Sequence, residues 1–401
     1  MSLNPANLKQ TVKSFDYPLV LAVLSVGIFG VVMIYTSVNA YAIPRVIRND
    51  FHWLWTRQAA YVVTGAALMM GFALIDYRLI TRFYVYIYGV MILLLVAVLV
   101  IGADDVTETA RWLWIPLPFI GEVSMQPSEF SKIFIILFLA KFLDVYRDRF
   151  NRPFWLLFIA VLIILPVVLV VQQPSLSAGM VILSLSLVVL YVGGLYYRTI
   201  LGGIAVLFPL AVFAWIDMQR PAPIFLTRFL GNFQWQRIEA WLRPEAVNPD
   251  AIRQTQGSLE AIGLGGLTGR GFLNNSYVIN GHNDFIFSVV AEQFGFIGSV
   301  LLLSVTAFII VRCVFIARRA ADTEGRLIAA GVAGMLIFET FFHVGVVTNL
   351  LPNTGMPFPF FSYGGSMIWV HMMAIGIVLN VGLPRKPNPS TSVYSKSGKE
   401  R

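Results

Sequence analysis

The sequence predicts an all-α, polytopic membrane protein, and composition and hydrophobic pattern carry that prediction. Of the 401 residues, 57% are apolar and 12% are charged, whereas soluble domains are about half apolar and about a quarter charged. The apolar residues form runs of about 20, which is long enough for a helix to cross a hydrocarbon layer about 30 Å thick. The alternating strands of outer-membrane barrels are absent, so we expect helices, which pair every backbone group in lipid.

Ten candidate spans follow one another along the chain. They cover approximately residues 17–38, 59–75, 83–102, 128–146, 155–172, 176–195, 199–217, 285–315, 327–350 and 364–384. The first is too long for the core of a signal peptide and is expected to remain as a helix. The single cysteine, Cys313, excludes a disulfide framework and any cysteine-based metal cluster.

The positions of the basic residues predict the orientation. Eighteen of the 29 Lys and Arg residues fall on the side that holds both termini, and the short loops of the other side hold four. Because cytoplasmic loops carry the excess of Lys and Arg, both termini are predicted to be cytoplasmic. The chain then divides into a cytoplasmic segment 1–16, a ten-helix domain 17–384 and a basic cytoplasmic tail 385–401. The long loop 218–284, between the seventh and eighth spans, is extracytoplasmic. We assign the net charge of +8 to the membrane surface and expect no nucleic-acid partner.

Three outward-facing regions, 103–132, 218–284 and 351–366, concentrate the polar residues. In the first, Pro127 suits the start of a helix, and Glu129 is favoured near the positive helix end. Glu129 and Lys132 are three residues apart and share a helix face. On spacing alone, they form either an internal ion pair or part of a cationic pocket for an anionic head group.

The long loop contains a predicted helix followed by a glycine-rich segment. Five apolar residues fall on one side at helical spacing, namely Phe233, Trp235, Ile238, Trp241 and Leu242. Such a helix lies in the membrane interface or packs inside a folded loop, and the pattern leaves both alternatives open. The glycines of 263–271 resemble a phosphate-binding loop only superficially, because no strand precedes them and no Lys-Ser/Thr follows. A tight, mobile turn beside a lipid substrate is expected instead.

Asp284 lies where the loop meets the eighth span, on one helical stripe with Ser288 and Glu292. It either caps the helix or supplies a functional carboxylate. His282 alone does not make a zinc site. The uncharged segment 351–366 is expected to fold tightly against the other two regions. In the ninth span, Glu339 and His343 are expected to form a buried polar contact.

Several separated motifs, taken together and in this order, resemble the SEDS family (shape, elongation, division and sporulation) over residues 17–384. They are Ala110-Arg111-Trp112, Gln126-Pro127-Ser128-Glu129 with Lys132, Arg237-Ile238, Gly265 to Gly271, His282-Asn283-Asp284-Phe285-Ile286-Phe287, and Thr354-Gly355-Met356-Pro357 leading to Ser362-Tyr363-Gly364-Gly365-Ser366. The chain departs from frequent family residues at Ser175, Gln293 and Met367.

The resemblance implies a peptidoglycan glycosyltransferase of the bacterial plasma membrane that polymerises lipid II. It implies partnership with a class B penicillin-binding protein and with other elongation or division proteins, besides membrane lipid. The sequence of residues 354–357 looks more like that of the elongation branch, which is typified by RodA and serves cell shape. Carried over by motif, the catalytic residues are Asp284, Glu129 and Lys132. The residues implied for substrate binding are Arg111, Trp112, Gln126, Ser128, His282 and Arg237.

As a mechanistic hypothesis, Asp284 acts as the base that activates the attacking sugar hydroxyl. The pyrophosphate leaving group needs positive charge from Lys132, Arg111 or a divalent cation such as Mg²⁺ or Mn²⁺. Alternative functions are a lipid II flippase or another transporter, a division- or sporulation-type polymerase, and a scaffolding subunit.

Overall fold

The computed structural model describes residues 15–40, 53–102, 112–117, 121–173, 175–220, 232–276 and 278–384. The helices are α1 (Tyr17–Asn39), α2 (Leu54–Leu74), α3 (Tyr77–Thr81), α4 (Tyr84–Ile101), α5 (Pro127–Val145), α6 (Pro153–Gln172), α7 (Leu176–Val192), α8 (Tyr197–Met218), α9 (Asn232–Leu242), α10 (Pro249–Gly265), α11 (Ile286–Arg319), α12 (Thr323–Val347) and α13 (Gly365–Val381). The strands are β1 (Leu113–Leu117) and β2 (Gly121–Met125). The tail 385–401 and residues 1–14 of the predicted N-terminal segment lie outside the described residues.

Each of the ten predicted spans coincides with a helix of the structure. Among the described residues, six helices are long and apolar enough to cross a membrane: α1, α4, α6, α8, α11 and α12. Two more, α7 and α13, are shorter but apolar. The all-α, polytopic fold class is therefore confirmed, whereas the count of ten spans stays a prediction, because α2 and α5 carry more polar side chains.

Local sequence signals explain where the helices begin. Asp16 precedes α1, and its side chain accepts a hydrogen bond from the Leu19 amide at 3.1 Å. Pro127 and Pro153 open α5 and α6, where the missing amide hydrogen of proline costs nothing. Asp322 precedes α12 and accepts from the Gly325 amide at 2.8 Å.

Burial separates central helices from peripheral ones. Helix α13 is buried along nearly its whole length, and it packs against α2 and α12. In contrast, no residue in the apolar window of α8 is buried, and about one fifth are buried in α4 and α6. A helix that exposes mainly apolar side chains is stable only against lipid. Helices α4, α6 and α8 therefore form the lipid-facing periphery of the bundle.

Polar contacts at the two ends of the bundle join segments that the topology places on the same side. The end that is predicted to be cytoplasmic has the ion pairs Arg312–Asp16 (2.6 Å), Arg78–Asp322 (2.5 Å) and Lys141–Glu324 (2.7 Å). At the other end, the hydrogen bonds are Gln58 Nε2 to the Ser362 carbonyl (2.9 Å), Gln126 N to Ser366 Oγ (3.1 Å) and Gln234 Nε2 to the Val171 carbonyl (3.2 Å). The grouping agrees with the predicted sidedness, and the direction across the membrane stays a prediction.

The strands β1 and β2 form an antiparallel hairpin that the sequence analysis did not anticipate. Leu113 pairs with Met125, and Leu117 pairs with Gly121. Because paired strands run side by side, this register brings Trp112 and Gln126 to the same end of the hairpin. Both residues line the cavity described below.

Helix α11 is kinked at Gly295, whose φ of 66° and ψ of −162° are not helical. A side chain there would lie 2.4 Å from the Gly269 nitrogen and 2.5 Å from the Leu267 carbonyl oxygen. Only glycine permits that approach. The kink seats the glycine-rich segment against α11.

Candidate active site

A cavity of about 140 Å³ lies at the end of the bundle that is predicted to be extracytoplasmic. It is lined by residues from all three of the predicted polar regions and from the start of α7. These include Trp112, Gln126, Glu129, Ser175, Ser177, Arg237, Asn283, Asp284, Thr354, Gly355, Tyr363 and Ser366. The uncharged segment 351–366 packs against the other two regions, as the sequence analysis expected.

Asp284 is held by the turns that precede α11. Asn280 has a φ of +58°, and its carbonyl oxygen accepts hydrogen bonds from the amides of Asn283 at 3.0 Å and Phe285 at 3.3 Å. The N-cap position of α11 is Phe285, so Asp284 is not the capping residue that one interpretation of the sequence allowed. Its carboxylate oxygen Oδ2 lies 3.2 Å from the point where a side chain on Gly355 would begin. Asp284 thus faces the segment 353–357.

The proposed stripe of Asp284, Ser288 and Glu292 does not act as one unit. Ser288 is buried and donates a hydrogen bond to the Phe285 carbonyl at 2.6 Å. Glu292 binds Arg270 at 2.8 Å and accepts from the Ser276 amide at 3.0 Å. Because Asp284 precedes the helix, helical spacing does not apply to it, and Glu292 instead fixes the glycine-rich segment.

Arg237, on α9, reaches the same place as Asp284. Its Nη1 atom donates to the Asn353 carbonyl at 3.3 Å and lies 3.2 Å from the side-chain position of Gly355. Burial lowers the pKa of Arg237, and the negative charge of Asp284 partly opposes that effect. A guanidinium keeps its charge in proteins, so a cation and a carboxylate face the same cavity.

Glu129 and Lys132 form an ion pair of 2.7 Å, as one interpretation of their spacing predicted. Glu129 lines the cavity, but Lys132 does not, and Lys132 is only 1% exposed. Its ammonium lies 2.5 Å from Glu339 Oε1, and Glu339 Oε2 lies 2.5 Å from His371 Nε2. The hypothesis that Lys132 contacts the leaving group directly therefore needs correction, because two carboxylates enclose its charge.

The predicted contact between Glu339 and His343 is wrong. His343 Nδ1 lies 2.7 Å from the Met356 carbonyl, and its ring packs against Phe358. His343, on α12, thereby contacts the segment 351–366 and helps to hold it in place. Glu339 turns instead to Lys132 and His371, partners on other helices that helical spacing cannot reveal.

The remaining candidates take different positions around the cavity. Gln126 lines it and donates from Nε2 to Ser128 Oγ at 2.9 Å, while Ser128 itself is buried. His282 packs edge-on against Tyr363, which lines the cavity, and burial lowers the pKa of His282 to about 4. Arg111 lies outside the described residues. The structure therefore brings Trp112, Gln126, Glu129, Arg237 and Asp284 together around one space.

The glycine-rich segment 263–271 comprises the last turn of α10 and a tight turn at 266–268, and backbone contacts hold it in place. The Arg270 amide donates to the Glu292 carbonyl at 2.8 Å, and the Phe296 amide donates to the Gly266 carbonyl at 2.9 Å. A side chain on Gly265 would lie 1.9 Å from the Ala291 carbonyl oxygen. Gly265 and Gly269 thus serve close packing on α11, whereas mobility of the turn beside a lipid stays a prediction.

Helix α9 was predicted either to lie in the membrane interface or to pack inside the loop. Ile238 and Gln234 are buried, and the Trp241 indole donates to the Asn349 carbonyl at 3.0 Å. These contacts favour the packed helix. They also explain how Arg237, on the same helix, is aimed at the cavity.

Sequence reasoning missed the contributions of Glu339, His371, Ser175, Ser177 and Tyr363. Buried ionisable residues within spans were the available signal for Glu339 and His371. Ser175 was noted only as a departure from a family pattern. Among the described residues, no three His, Cys, Asp or Glu side chains form a group that could hold a metal ion.

Comparisons with known proteins identify relatives that all belong to one family. The family of cell cycle proteins that comprises FtsW, RodA and SpoVE matches residues 17–386. A probable peptidoglycan glycosyltransferase FtsW from Trichlorobacter lovleyi is 31% identical over 390 residues, covering 95% of this chain and 97% of that protein. The peptidoglycan glycosyltransferase MrdB from Escherichia coli is 36% identical over 337 residues, covering 82% and 86%.

Solved structures show the same fold. A chain from a peptidoglycan synthase complex that coordinates polymerization and crosslinking matches with a TM-score of 0.73 and 29% identity, covering 92% of this chain and 97% of that one. The rod shape determining protein RodA from Thermus thermophilus matches with a TM-score of 0.64 and 28% identity, covering 92% and 96%.

Proposed function

The chain belongs to the FtsW/RodA/SpoVE family of cell cycle proteins, the SEDS family, and we propose that it polymerises peptidoglycan glycan strands at the cavity around Asp284. It is a peptidoglycan glycosyltransferase and a multi-pass protein of the bacterial inner membrane. The observation that carries the site is the meeting of Asp284, Glu129 and Arg237 around one cavity. The substrate is lipid II, the lipid-linked disaccharide whose leaving group is undecaprenyl pyrophosphate.

Asp284 is the general base. The oxygen of the acceptor sugar hydroxyl attacks the anomeric carbon of the donor, and the bond from that carbon to the pyrophosphate oxygen breaks. The hydroxyl proton passes to Asp284, and the pyrophosphate leaves with the bonding electron pair. A positioned base contributes roughly 10²–10⁴-fold to such a step. A single displacement inverts the anomeric centre.

Arg237 supplies positive charge on the same side of the cavity as Asp284. Its hydrogen bond to the Asn353 carbonyl fixes one nitrogen, and a guanidinium has five N–H donors in all, which suit phosphate oxygens. Preorganised charge of this kind stabilises the charge that develops on a leaving group.

Glu129 and Lys132 act as a pair in this proposal. Glu129 faces the cavity, while Lys132 lies behind it and holds it at 2.7 Å. Lys132 is thus a positioning residue that acts through Glu129. Trp112 and Gln126 contact the substrate, Ser128 orients Gln126, and His282 supports Tyr363 at the rim. Arg111 is assigned to substrate binding from its motif alone.

We propose that the chain works with a class B penicillin-binding protein, the transpeptidase that crosslinks the strands. The relative in a peptidoglycan synthase complex that coordinates polymerization and crosslinking supports this partnership. Co-purification of the full chain with each transpeptidase of the same cell would identify the partner. Other elongation or division proteins and membrane lipid complete the proposed partners.

The ten-span domain 17–384 with both termini in the cytoplasm remains our proposal for the topology. It places the cavity and the loop 218–284 on the extracytoplasmic side, where the glycan strand is needed. Cysteine labelling at residue 250 in intact cells tests it, after Cys313 is replaced by Ser. Labelling by a membrane-impermeant reagent supports the topology, and protection until the membrane is broken contradicts it.

We propose that the protein belongs to the elongation branch, because the sequence Thr354-Gly355-Met356-Pro357 resembles that branch. The 36% identity to MrdB supports this proposal. Relatives named FtsW match over more of the chain, so a division-type polymerase is the alternative. Depletion of the protein tests the branch. Spherical cells indicate elongation, and filaments indicate division.

Incubation of the purified protein with lipid II in detergent tests the catalytic proposal. We expect glycan chains from the wild type, none from Asp284→Asn, and wild-type yield from Glu260→Gln, an exposed acid of α10 that does not line the cavity. Polymerisation by Asp284→Asn at the wild-type rate would remove Asp284 from the mechanism. Detergent abolishes sidedness, so a lipid II flippase or a scaffolding subunit would give no glycan in any sample.

A further inference from the structure

A second, larger concavity adjoins the cavity around Asp284. This outer groove has a volume of about 400 Å³ and lies between α9 and α10. Polar and aromatic side chains from both helices and from the segment 349–353 line it, including Gln236, Trp241, Gln254, Gln256, Asn349 and Asn353. The mechanism proposed above makes no use of this groove.

Arg237 lines both spaces. Beyond it, a chain of polar contacts leads from the outer groove to Asp284. Asn353 Nδ2 donates to Gln254 Oε1 at 3.1 Å, and Asn353 Oδ1 accepts from the Gly355 amide at 3.2 Å. Gly355 in turn adjoins Asp284 Oδ2. A ligand in the outer groove therefore lies within reach of the proposed base.

The two volumes differ in what they can hold. Sites for small molecules usually have volumes of about 300–1,000 Å³. The cavity, with about 140 Å³, falls below that range, whereas the outer groove, with about 400 Å³, lies inside it. A reaction that joins two sugars needs room for more than one ring. The outer groove offers that additional room beside the reacting carbon.

The side chains of the outer groove suit a saccharide. Amide side chains both donate and accept hydrogen bonds, as sugar hydroxyls and acetamido groups require. Trp241, held by its indole hydrogen bond to the Asn349 carbonyl, adds a large, rigid apolar surface that suits the C–H face of a pyranose. Charge is sparse, because Asp250 pairs with Arg253 at 3.3 Å and Arg237 lies at the inner end. A polyanion would find few partners here.

We propose that the outer groove binds a chain of β-linked N-acetylated hexosamines and seats it against Asp284. The inference rests on the proposed function, since it gives that site its saccharide subsite. Two sources share this chemistry, namely the growing glycan strand and the sugar head of the lipid-linked donor.

Binding is measured directly with tetra-N-acetylchitotetraose and the full-length protein in detergent, by saturation-transfer NMR and calorimetry. Ala240 lines the outer groove, so Ala240→Trp fills it. The double variant Gln236→Ala/Gln256→Ala removes two exposed amides with little risk to folding. The matched control is Glu260→Ala, one turn beyond Gln256 on α10 and outside the groove. We expect at least a tenfold loss of affinity in both groove variants and wild-type affinity in Glu260→Ala.

The outcomes separate this inference from the proposed function. If the wild type does not bind the tetrasaccharide, the groove proposal is wrong, even if the wild type makes glycan. It is also wrong if both groove variants bind and polymerise as the wild type does. If the wild type binds the tetrasaccharide but makes no glycan, the proposed polymerase activity is wrong and the proposed saccharide binding is supported. Shorter strands at an unchanged rate of initiation identify the growing strand as the occupant. A raised KM for lipid II at unchanged strand length identifies the donor sugar.

Discussion

The ammonium of Lys132 lies 2.5 Å from Glu339 Oε1, which ties α5 to α12 in the interior of the bundle. Glu339 extends the contact to His371 on α13, and Lys132 extends it to Glu129 at the cavity. All four residues are at most 6% exposed. The network thus connects three central helices to one carboxylate of the proposed active site.

Lys132→Met should lower both stability and activity. It leaves Glu129 and Glu339 without their shared cation, and breaking a buried ion pair by removing one partner costs about 3–5 kcal/mol. Thermal unfolding in detergent measures the loss, and the glycan yield of the folded fraction measures the loss of Glu129 positioning. Arg253→Gln is the control, because the Arg253–Asp250 pair is at least two-thirds exposed and such pairs contribute about 0–1 kcal/mol. Equal melting temperatures for the two variants would contradict the role of Lys132.

The fold was largely predictable because hydrophobic runs determine where spans lie, and each predicted span holds a helix. Of the two carboxylates that bind Lys132, only that of Glu129 could be predicted from the sequence. Glu129 is three residues away on the same helix, but Glu339 is 207 residues away, and no spacing rule connects positions on different helices. The hairpin β1–β2 was not predicted either, because the outward-facing segment lacks the alternation of apolar and polar residues that is typical of a longer strand. Asp284 was found from its place at a loop–helix junction and from its motif.

Gly355→Ala should reduce activity far more than stability. Gly355 has a φ of +67°, and an added side chain would lie 3.2 Å from both Arg237 Nη1 and Asp284 Oδ2. The left-handed backbone costs a non-glycine residue about 1–2 kcal/mol, and the added methyl group displaces the two groups of the site. We expect kcat to fall at least tenfold.

Gly194→Ala is the matched control for that variant. Gly194 follows the end of α7 with a φ of +97°, but nothing lies within 4 Å of an added side chain. The two variants should therefore melt at similar temperatures, while only Gly355→Ala loses glycan synthesis. A fully active Gly355→Ala protein would show that Arg237 and Asp284 tolerate displacement.

His282 should make the protein less stable in acid. Burial lowers the pKa of His282 from 6.5 to about 4 in the folded state, so the unfolded chain binds more protons between these values. Stability therefore rises with pH through that window and gains nothing further from His282 above it. His282→Gln should lose less melting temperature between pH 7 and pH 4.5 than the wild type loses. Parallel pH profiles would contradict this assignment.

Gly265→Ala should destabilise the whole outer region, because an added side chain would lie 1.9 Å from the Ala291 carbonyl oxygen on α11. Backbone cannot yield as a flexible side chain can, so α10 must separate from the first part of α11, which directly follows Asp284. Gly263→Ala is the control on the same helix, where nothing lies within 4 Å. Alanine is about 0.5–1 kcal/mol more favourable than glycine within a helix, so Gly263→Ala should melt at or above the wild-type temperature. Gly265→Ala should melt well below it and lose glycan synthesis as well. If both alanine variants melted together near the wild-type temperature, close packing between α10 and α11 would not hold the site.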